Sequence, residues 1–288
     1  MAFVAIENIS DTAVWVAYYR AKETLRPDAM FQDRLAQKLI GGRGKKIADE
    51  MGSIGRYTEW SVISRTVIID RFIDALVLQG IDAVINLGAG FDTRPYRLKL
   101  PENLEWIEVD CAEILALKSK VLKSEKAECQ LSRDVLDLRS GNDRRNFFRQ
   151  IVPHAKKVLI LTEGLIPYLS QDEVAALSQD ILREQRFIYW ITEYFDPKVY
   201  RTLKSTLKTA KMKNAPFRFF PDNWYKFFAG LGWHAQETQY SSSIAAEFKR
   251  PLPMPLLVKL LLPLMSKKVR DQATRMTGFV LLKRIGND

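Results

Sequence analysis

Hydrophobic residues in the first quarter of the chain recur at the three- and four-residue spacing of amphipathic helices. The pattern covers Asp11 to Glu23 and Asp28 to Leu39, and each stretch begins at an aspartate that can cap a helix. A GGRG sequence at residues 41–44 interrupts the pattern and predicts a turn. A longer helix is predicted from residue 62 to residue 78, because a glycine at position 80 can end it.

After this helix the pattern changes to short apolar runs that are separated by helix-sized segments. The predicted strands are residues 83–87, 106–109, 129–132 (the weakest of the set), 157–162, 187–192, 233–239 and 278–284. Strands that alternate with helices are typical of a parallel sheet with right-handed crossovers. The last third of the chain departs from this alternation, and its two predicted strands, at 233–239 and 278–284, are expected to close the sheet. We therefore predict an α/β fold with a mostly parallel, doubly wound, seven-stranded sheet.

The length of 288 residues fits a single large domain. We divide it into a helical cap at 1–80, a core at 81–240, and an inserted lid with the last strand at 241–288. The two cysteines form no CxxC pair, so neither a disulfide scaffold nor a cysteine-based zinc site is supported, and no metal is expected. No apolar run reaches the length of a membrane span, and the first 30 residues lack a signal-peptide pattern. We expect a cytoplasmic protein.

The formal net charge of +10 comes from two segments. Residues 198–218 contain seven Lys or Arg and no acid, and residues 249–270 contain six and no acid. A protein that wraps nucleic acid more often spreads its positive charge, so such a partner is disfavoured. Residues 198–213 predict an amphipathic helix with a basic face. The proline-broken apolar segment at 249–270 is interpreted as a lid over an apolar acceptor, with a membrane-surface contact or a dimer contact as alternatives.

A glycine turn follows the first predicted strand, in the sequence INLGAGFDT at residues 85–93. Gly88 and Gly90 allow a sharp bend and a close approach of the backbone to a ligand. Asp110 ends the second strand, where a carboxylate can accept hydrogen bonds from both ribose hydroxyls of an adenosine. A dinucleotide fingerprint would have a third glycine where this chain has Thr93, and the carboxylate of Asp92 would oppose a pyrophosphate. The turn therefore favours a ligand with cationic sulfonium and ammonium groups.

Several motifs, taken in order, resemble those of the leucine carboxyl methyltransferase family. They are NLGAGFDTRPYRL at 86–98, WIEVD at 106–110 and TEGLIPYL at 162–169, and residues 11–36 are similar to the bacterial branch. This class I group uses S-adenosylmethionine and includes tetracenomycin-type polyketide O-methyltransferases. The resemblance covers roughly residues 10–240 and implies a Rossmann-like class I methyltransferase fold with S-adenosylmethionine as cofactor.

The resemblance also implies roles for individual residues. An arginine before the first strand would hold the methionine carboxylate, for which the planar guanidinium suits two hydrogen bonds. An acid and the residue after it would lie beside the adenine, where Asp137 is the alternative register to Asp134. Another acid would lie near the cofactor's amino group and methyl centre. The role of Arg20 in the N-terminal cap is left open. The cofactor-binding residues implied in this way are Arg65, Gly88, Gly90, Asp110, Asp134, Val135 and Glu163.

The acceptor side offers three candidate catalytic residues. The family has a tyrosine at the position of Tyr168, and Glu193 and Tyr194 follow the next predicted strand, where they would line the same cavity mouth. The only histidines, His154 and His234, have no recognisable catalytic setting. Methyl transfer from a sulfonium is an in-line displacement that depends mainly on positioning. An ionised carboxylate acceptor needs no base, whereas a phenol acceptor gains from proton removal.

These observations predict an S-adenosylmethionine-dependent O-methyltransferase. Its acceptor would be a small, largely apolar, polyketide-like metabolite with a carboxyl or phenolic hydroxyl group. Three alternatives stay open. The acceptor could be a protein C-terminus or a modified tRNA, the protein could be an NAD-dependent oxidoreductase, or it could be a non-enzymatic module that binds nucleic acid or a membrane surface. The sequence predicts no oligomeric state.

Overall fold

The computed structural model describes residues 9–199, 217–250, 252–253, 261 and 264–286. Its helices are α1 (Ile9–Thr24), α2 (Arg34–Ile40), α3 (Arg43–Leu78), α4 (Arg94–Arg97), α5 (Ala112–Val121), α6 (Gly141–Gln150), α7 (Gln171–Leu182), α8 (Trp224–Gly230), α9 (Ser241–Glu247) and α10 (Lys267–Thr274). Its strands are β1 (Ala83–Leu87), β2 (Glu105–Asp110), β3 (Gln130–Val135), β4 (Val158–Thr162), β5 (Phe187–Phe195), β6 (Trp233–Tyr240) and β7 (Thr277–Arg284).

The strands form one seven-stranded sheet in the order β3-β2-β1-β4-β5-β7-β6. Strands β1 to β5 pair in parallel, whereas β7 lies antiparallel between β5 and β6. All residues of β1 and β4 are buried, because helices cover both faces of the sheet. This confirms the predicted mostly parallel, doubly wound sheet, with the last two strands closing it.

Two hydrophobic clusters occupy the two faces of the sheet. On one face α3 contributes Ile68 and Phe72, which pack with Trp106 of β2. On the other face α6, α7 and α8 contribute apolar side chains, among them Phe148 and Phe228. A third cluster joins α1 and α2 to the N-terminal half of α3. The N-terminal helices therefore lie on the core as predicted.

Several predicted boundaries were wrong for local reasons. The helix expected from Asp28 begins only at Arg34, because Asp33 accepts a hydrogen bond from Ala36 N–H at 3.0 Å and caps it. The predicted GGRG turn is shorter than expected, because α3 begins at Arg43 and already includes Gly44. A Cβ at Gly44 would approach Tyr18 to 3.1 Å, which explains a glycine inside a helix that packs closely on α1.

Strands β3 and β5 are longer than predicted. The first begins one residue later and runs on to Val135, and the second continues to Phe195. Glu193 and Tyr194 consequently lie inside a strand and not beyond its end. The predicted basic helix at 198–213 falls almost entirely outside the described residues, and so does most of the apolar part of the predicted lid. None of the helices in the described part of the chain has the length and apolar character that crossing a bilayer requires.

Candidate active site

A cavity of about 710 Å³ opens at the carboxyl ends of β1, β2 and β4. The strand order reverses between β1 and β4, and ligands of open α/β sheets bind in the crevice at such a switch point. Residues from the N-terminal helices, the glycine turn, both neighbouring strand ends and the segment after β4 line it. The lining includes Ala13, Val16, Arg20, Arg65, Asn86, Gly88, Gly90, Asp92, Asp110, Cys111, Val135, Asp137, Arg139, Glu163, Gly164, Tyr168, Glu173 and Arg218.

The glycine turn forms the floor of this cavity. Gly88 and Gly90 have φ angles of +72° and +48°, in the left-handed region that favours glycine. Gly88 N–H donates to the carbonyl of Val109 at 2.8 Å, which attaches the turn to β2. The turn therefore has the tight geometry that the sequence predicted.

Asp110 lies at the end of β2, beside the turn. One carboxylate oxygen accepts a hydrogen bond from Gly90 N–H at 2.7 Å, and the other accepts one from Cys111 N–H at 2.7 Å. These bonds fix the carboxylate against the cavity and leave a second lone pair on each oxygen. The geometry is suited to a ligand with two adjacent hydroxyl groups.

A buried arginine that the sequence analysis missed lies at the centre of the charged groups. The guanidinium of Arg94 contacts Asp70 at 2.7 Å, Asp92 at 2.9 Å and Glu163 at 2.6 Å. Its side chain is 2% exposed, so the three carboxylates compensate a charge that water cannot reach. Its place two residues after an aspartate in the glycine turn was the available signal, because a buried acid requires a cation nearby.

Arg65 and Glu163 were predicted separately, and the structure brings them together. Arg65 Nε lies 2.8 Å from Glu163 Oε1. Burial alone would raise the pKa of Glu163, but Arg94 and Arg65 outweigh burial and hold that pKa below its usual value. Glu163 is therefore ionised at neutral pH and held between two cations at the cavity wall.

Arg20, whose role the sequence left open, also lines the cavity. Its Nε donates to Asp33 Oδ2 at 2.8 Å, and its Nη2 donates to the carbonyl of Phe91 at 2.5 Å. Burial would raise the pKa of Asp33, but Arg20 and Arg97 lower it below the ordinary value. Arg20 thereby connects the N-terminal helices to the glycine turn.

The structure places the two alternative adenine-site acids differently. Val135 and Asp137 line the cavity, whereas Asp134 lies one residue earlier within β3 and is not part of its wall. The carboxylate of Asp137 accepts hydrogen bonds from Arg139 at 2.9 Å, and these bonds lower its pKa. Because successive side chains of a strand point to opposite faces, those of Asp134 and Val135 differ in direction. Asp137 remains the alternative to Asp134 as the acid beside the adenine.

Of the three predicted catalytic residues, only Tyr168 lies in the cavity wall. Burial raises the pKa of Tyr168 to about 12, so its hydroxyl stays protonated at neutral pH. Glu193 is buried behind the wall, where it accepts hydrogen bonds from Gly164 N–H and from Thr192 Oγ1. The prediction that Glu193 and Tyr194 line the cavity mouth was wrong, because the strand was taken to end too early.

Tyr194 points into a different part of the molecule. It packs against Trp224 and Tyr225, and it borders a separate groove of about 580 Å³ between the ends of β5 and β6 and helix α10. The two histidines are exposed near the opposite edge of the sheet, at the amino ends of β4 and β6. Among the described residues, no group of His, Cys, Asp and Glu side chains is arranged to hold a metal ion.

The residues present fit S-adenosylmethionine as a ligand. Asn86 is 1% exposed and donates to Asp92 at 2.9 Å, but its Oδ1 has no hydrogen-bond partner among the described residues. A buried carbonyl oxygen without a partner in a cavity wall can accept an N–H from a ligand. The two carboxylate oxygens of Asp110 suit ribose hydroxyls, and the ionised Glu163 suits a cationic group.

This sheet order and the cavity at its switch point define a class I methyltransferase fold. Two solved structures share the fold. A protein of the duf574 family from Streptomyces avermitilis aligns with a TM-score of 0.53 and 13% identity over 93% of this chain and 96% of its own. A "putative methyltransferase" from Thermobifida fusca aligns with a TM-score of 0.52 and 14% identity over 88% and 94%.

The sequence comparisons identify the family within this class. Two proteins of Frankia alni, each named "putative S-adenosyl-L-methionine-dependent methyltransferase", are 31% and 28% identical to the chain. Each alignment covers 85% of this chain, and they cover 88% and 90% of the relatives. The model of the leucine carboxyl methyltransferase family matches residues 13–182. The chain belongs to the leucine carboxyl methyltransferase family and is an S-adenosylmethionine-dependent methyltransferase, as the motifs predicted.

Proposed function

We propose that this protein transfers the methyl group of S-adenosylmethionine to an oxygen atom of a small, largely apolar acceptor. The acceptor class is a metabolite with a carboxyl or phenolic hydroxyl group. The observation that carries the proposal is the ionised Glu163, which is held between Arg65 and Arg94 at the cavity wall. This acid adjoins both the glycine turn and the part of the cavity that extends to Tyr168.

Different residues of the cavity wall are assigned to different parts of the cofactor. Asp110 would accept hydrogen bonds from the ribose hydroxyls, and Val135 with Asp137 would border the adenine; all three line the cavity. Arg65 would bind the methionine carboxylate, and Glu163 with Asn86 Oδ1 would receive the ammonium group. When bound, the cofactor supplies a methyl group on a sulfonium that needs no further activation.

Positioning is the main contribution of the protein to the chemistry. Several acids of the described cavity wall have lowered pKa values, namely Glu163, Asp137, Glu173 and Asp92, so they accept a proton poorly at neutral pH. The pKa values of Tyr168 and Cys111 are raised, so these two groups stay protonated. An ionised carboxylate attacks without proton removal, and a phenol with pKa near 10 reacts through its minor anionic form. Of the two acceptor groups, this favours the carboxylate. Holding the reacting atoms in line can contribute about 7 to 11 kcal/mol to catalysis.

Asp110→Ala tests the cofactor assignment. Loss of a charged hydrogen bond to ribose should weaken S-adenosylhomocysteine binding by about 1.5 to 3 kcal/mol, measured by calorimetric titration. Glu102→Ala removes an exposed carboxylate before β2, on the opposite edge of the sheet, and serves as the control. Equal affinities of the two folded variants would contradict the ribose role. Binding of NAD in place of S-adenosylhomocysteine by the unaltered protein would overturn the whole assignment.

The acceptor class is tested with a labelled methyl donor. The panel contains aliphatic and aromatic carboxylic acids, phenolic polyketides, a peptide with a free C-terminal leucine, and tRNA. Label on a small carboxylic acid or phenol supports the proposal. Label on the peptide or the tRNA alone would replace the small-molecule acceptor with a macromolecular one.

A further inference from the structure

Glu193 is a buried carboxylate directly behind the cavity wall, although it takes no part in lining the cavity. It lies on β5, where it is 5% exposed. One of its oxygens accepts a hydrogen bond from Gly164 N–H, and the other accepts one from Thr192 Oγ1 at 3.1 Å. Gly164 itself lines the cavity. The carboxylate is therefore bonded to the backbone of the segment that forms the ligand's surroundings.

This bond fixes the turn that follows β4. Gly164 has a φ angle of +75°, and a Cβ at this position would lie 3.8 Å from Arg65 Nη1. The residue before it carries the carboxylate that pairs with Arg65 and Arg94, and the residue after it, Leu165, lies against Gly88. The hydrogen bond that Glu193 accepts from Gly164 N–H fixes the peptide unit between Glu163 and Gly164. It therefore also fixes the direction in which the Glu163 side chain points from the backbone.

The charges around Glu193 differ from those around Glu163. Among the described residues no Lys, Arg or His nitrogen forms an ion pair with Glu193, whereas Glu163 has two arginine partners. Among the described residues, the titratable groups that interact with Glu193 are Arg65 on α3 and Tyr168 on the segment after β4, while its neighbour on β7 is the apolar Phe279.

Burial is the main cause of the unusual acidity of this group. It raises the pKa of Glu193 to about 7, while the bond from Gly164 N–H and the attraction of Arg65 limit the rise. A carboxyl group with this pKa is about half protonated in the free protein at pH 7. A positive charge brought into the cavity favours its ionised form.

We propose that Glu193 is a positioning residue for the turn at residues 163–165 and that it releases a proton when a cationic cofactor binds. The proposal rests on the proposed function, because the positive charge that drives proton release is the sulfonium of S-adenosylmethionine. S-adenosylhomocysteine lacks this charge. The proton leaves the Glu193 carboxyl group for the solvent, and no covalent bond to carbon or sulfur changes. Cofactor affinity consequently rises with pH through the neutral range.

Proton release can be measured without turnover. Calorimetric titration with S-adenosylmethionine at pH 7, in buffers of low and high ionisation enthalpy, gives the number of protons released per site. We expect the wild type to release up to about half a proton more than Glu193→Gln at pH 7, because the free carboxyl group is half protonated there. The difference should vanish at pH 8.5, where the free protein has already lost the proton. It should also be smaller with S-adenosylhomocysteine.

The glutamine variant is the matched control because its amide oxygen can still accept the hydrogen bond from Gly164. The amino group of the ligand also titrates, but it contributes equally to both proteins, so the difference between them isolates Glu193. Equal release by wild type and variant at pH 7 would overturn the proton linkage. Failure of either ligand to bind the wild type would instead contradict the proposed function.

The positioning role has its own measurement. Glu193→Leu removes the acceptor for Gly164 N–H, so S-adenosylhomocysteine should bind at least tenfold more weakly, whereas Glu193→Gln should stay within threefold of wild type. Equal affinity of the two folded variants would overturn the positioning role. If the leucine variant does not fold, the affinity of the glutamine variant for S-adenosylhomocysteine is compared with that of wild type at pH 8.5. Tenfold weaker binding would contradict the claim that the amide oxygen keeps the hydrogen bond from Gly164 N–H. Affinities that agree within threefold would support it.

Discussion

The two halves of the sheet bury different kinds of side chain. In the parallel half, Arg94 and its three carboxylates lie beneath the cavity, and a second pair, Lys118 with Glu108, is completely buried at 2.7 Å. In the antiparallel half, the ring of Trp224 lies 4.3 Å from that of Phe228, and the latter meets Trp190 at 5.4 Å. Buried charge is concentrated on the side of the ligand cavity, and buried aromatic surface is concentrated on the other side.

This difference shows how the fold separates binding from support. A buried charge is costly unless partners compensate it, so ion pairs are weak sources of stability but strong sources of a fixed electric field. Aromatic packing has the opposite character, because it buries apolar area without a desolvation penalty. Two buried indole nitrogens have hydrogen-bond partners: Trp190 Nε1 donates to Thr162 Oγ1 at 2.9 Å, and Trp233 Nε1 donates to Ser178 Oγ at 2.8 Å. The aromatic half can therefore support the site without taking part in it.

The largest expected effect comes from removing the central cation of the charged half. Arg94→Met leaves Asp92 and Glu163 without their shared partner, and loss of one member of a buried ion pair typically costs about 3 to 5 kcal/mol of unfolding free energy. Urea denaturation measures the loss, and S-adenosylhomocysteine binding should weaken in the folded fraction. The control is Lys45→Met, which breaks the exposed pair with Asp49 and should cost less than about 1 kcal/mol. Similar losses in both variants would contradict the comparison.

A smaller effect, confined to stability, is expected in the aromatic half. Phe228→Leu keeps an apolar side chain but removes ring contacts with Trp190 and Trp224, each of which contributes about 0.5 to 1.5 kcal/mol. The unfolding free energy should therefore fall by about 1 to 2 kcal/mol. The dissociation constant for S-adenosylhomocysteine should not change, and a tenfold increase would show that the two halves are not separate.

Much of the parallel half could be predicted from the sequence because its signals are local. The apolar runs of β1 and β4 are continuous, and the glycines at 88 and 90 meet a requirement for positive φ that few other residues tolerate. Asp110 followed from its place at a strand end. The family motifs added Arg65 and Glu163, although the contact between them joins residues 98 positions apart and has no local signature.

The errors arose where the answer depended on tertiary packing. Arg94 begins the short helix α4 after the glycine turn, and two of its three carboxylate partners, Asp70 and Glu163, come from distant parts of the chain. The end of β5 was placed too early, because pairing with β7, which is distant in sequence, extends the strand to Phe195. Glu193 was therefore assigned to the wrong side of the cavity wall.

The smallest expected effect decides the adenine register at the edge of the charged half. Asp137 lines the cavity and is exposed, whereas Asp134 lies within β3 away from the wall. Because exposed hydrogen bonds contribute little net free energy, Asp137→Ala should weaken S-adenosylhomocysteine binding by about 0.5 to 1.5 kcal/mol, measured by calorimetric titration. Asp134→Ala is the matched control and should leave the affinity unchanged. The reverse order of the two effects would restore the register predicted from the sequence, and it would mean that the loop after β3 takes another path when the adenine is bound.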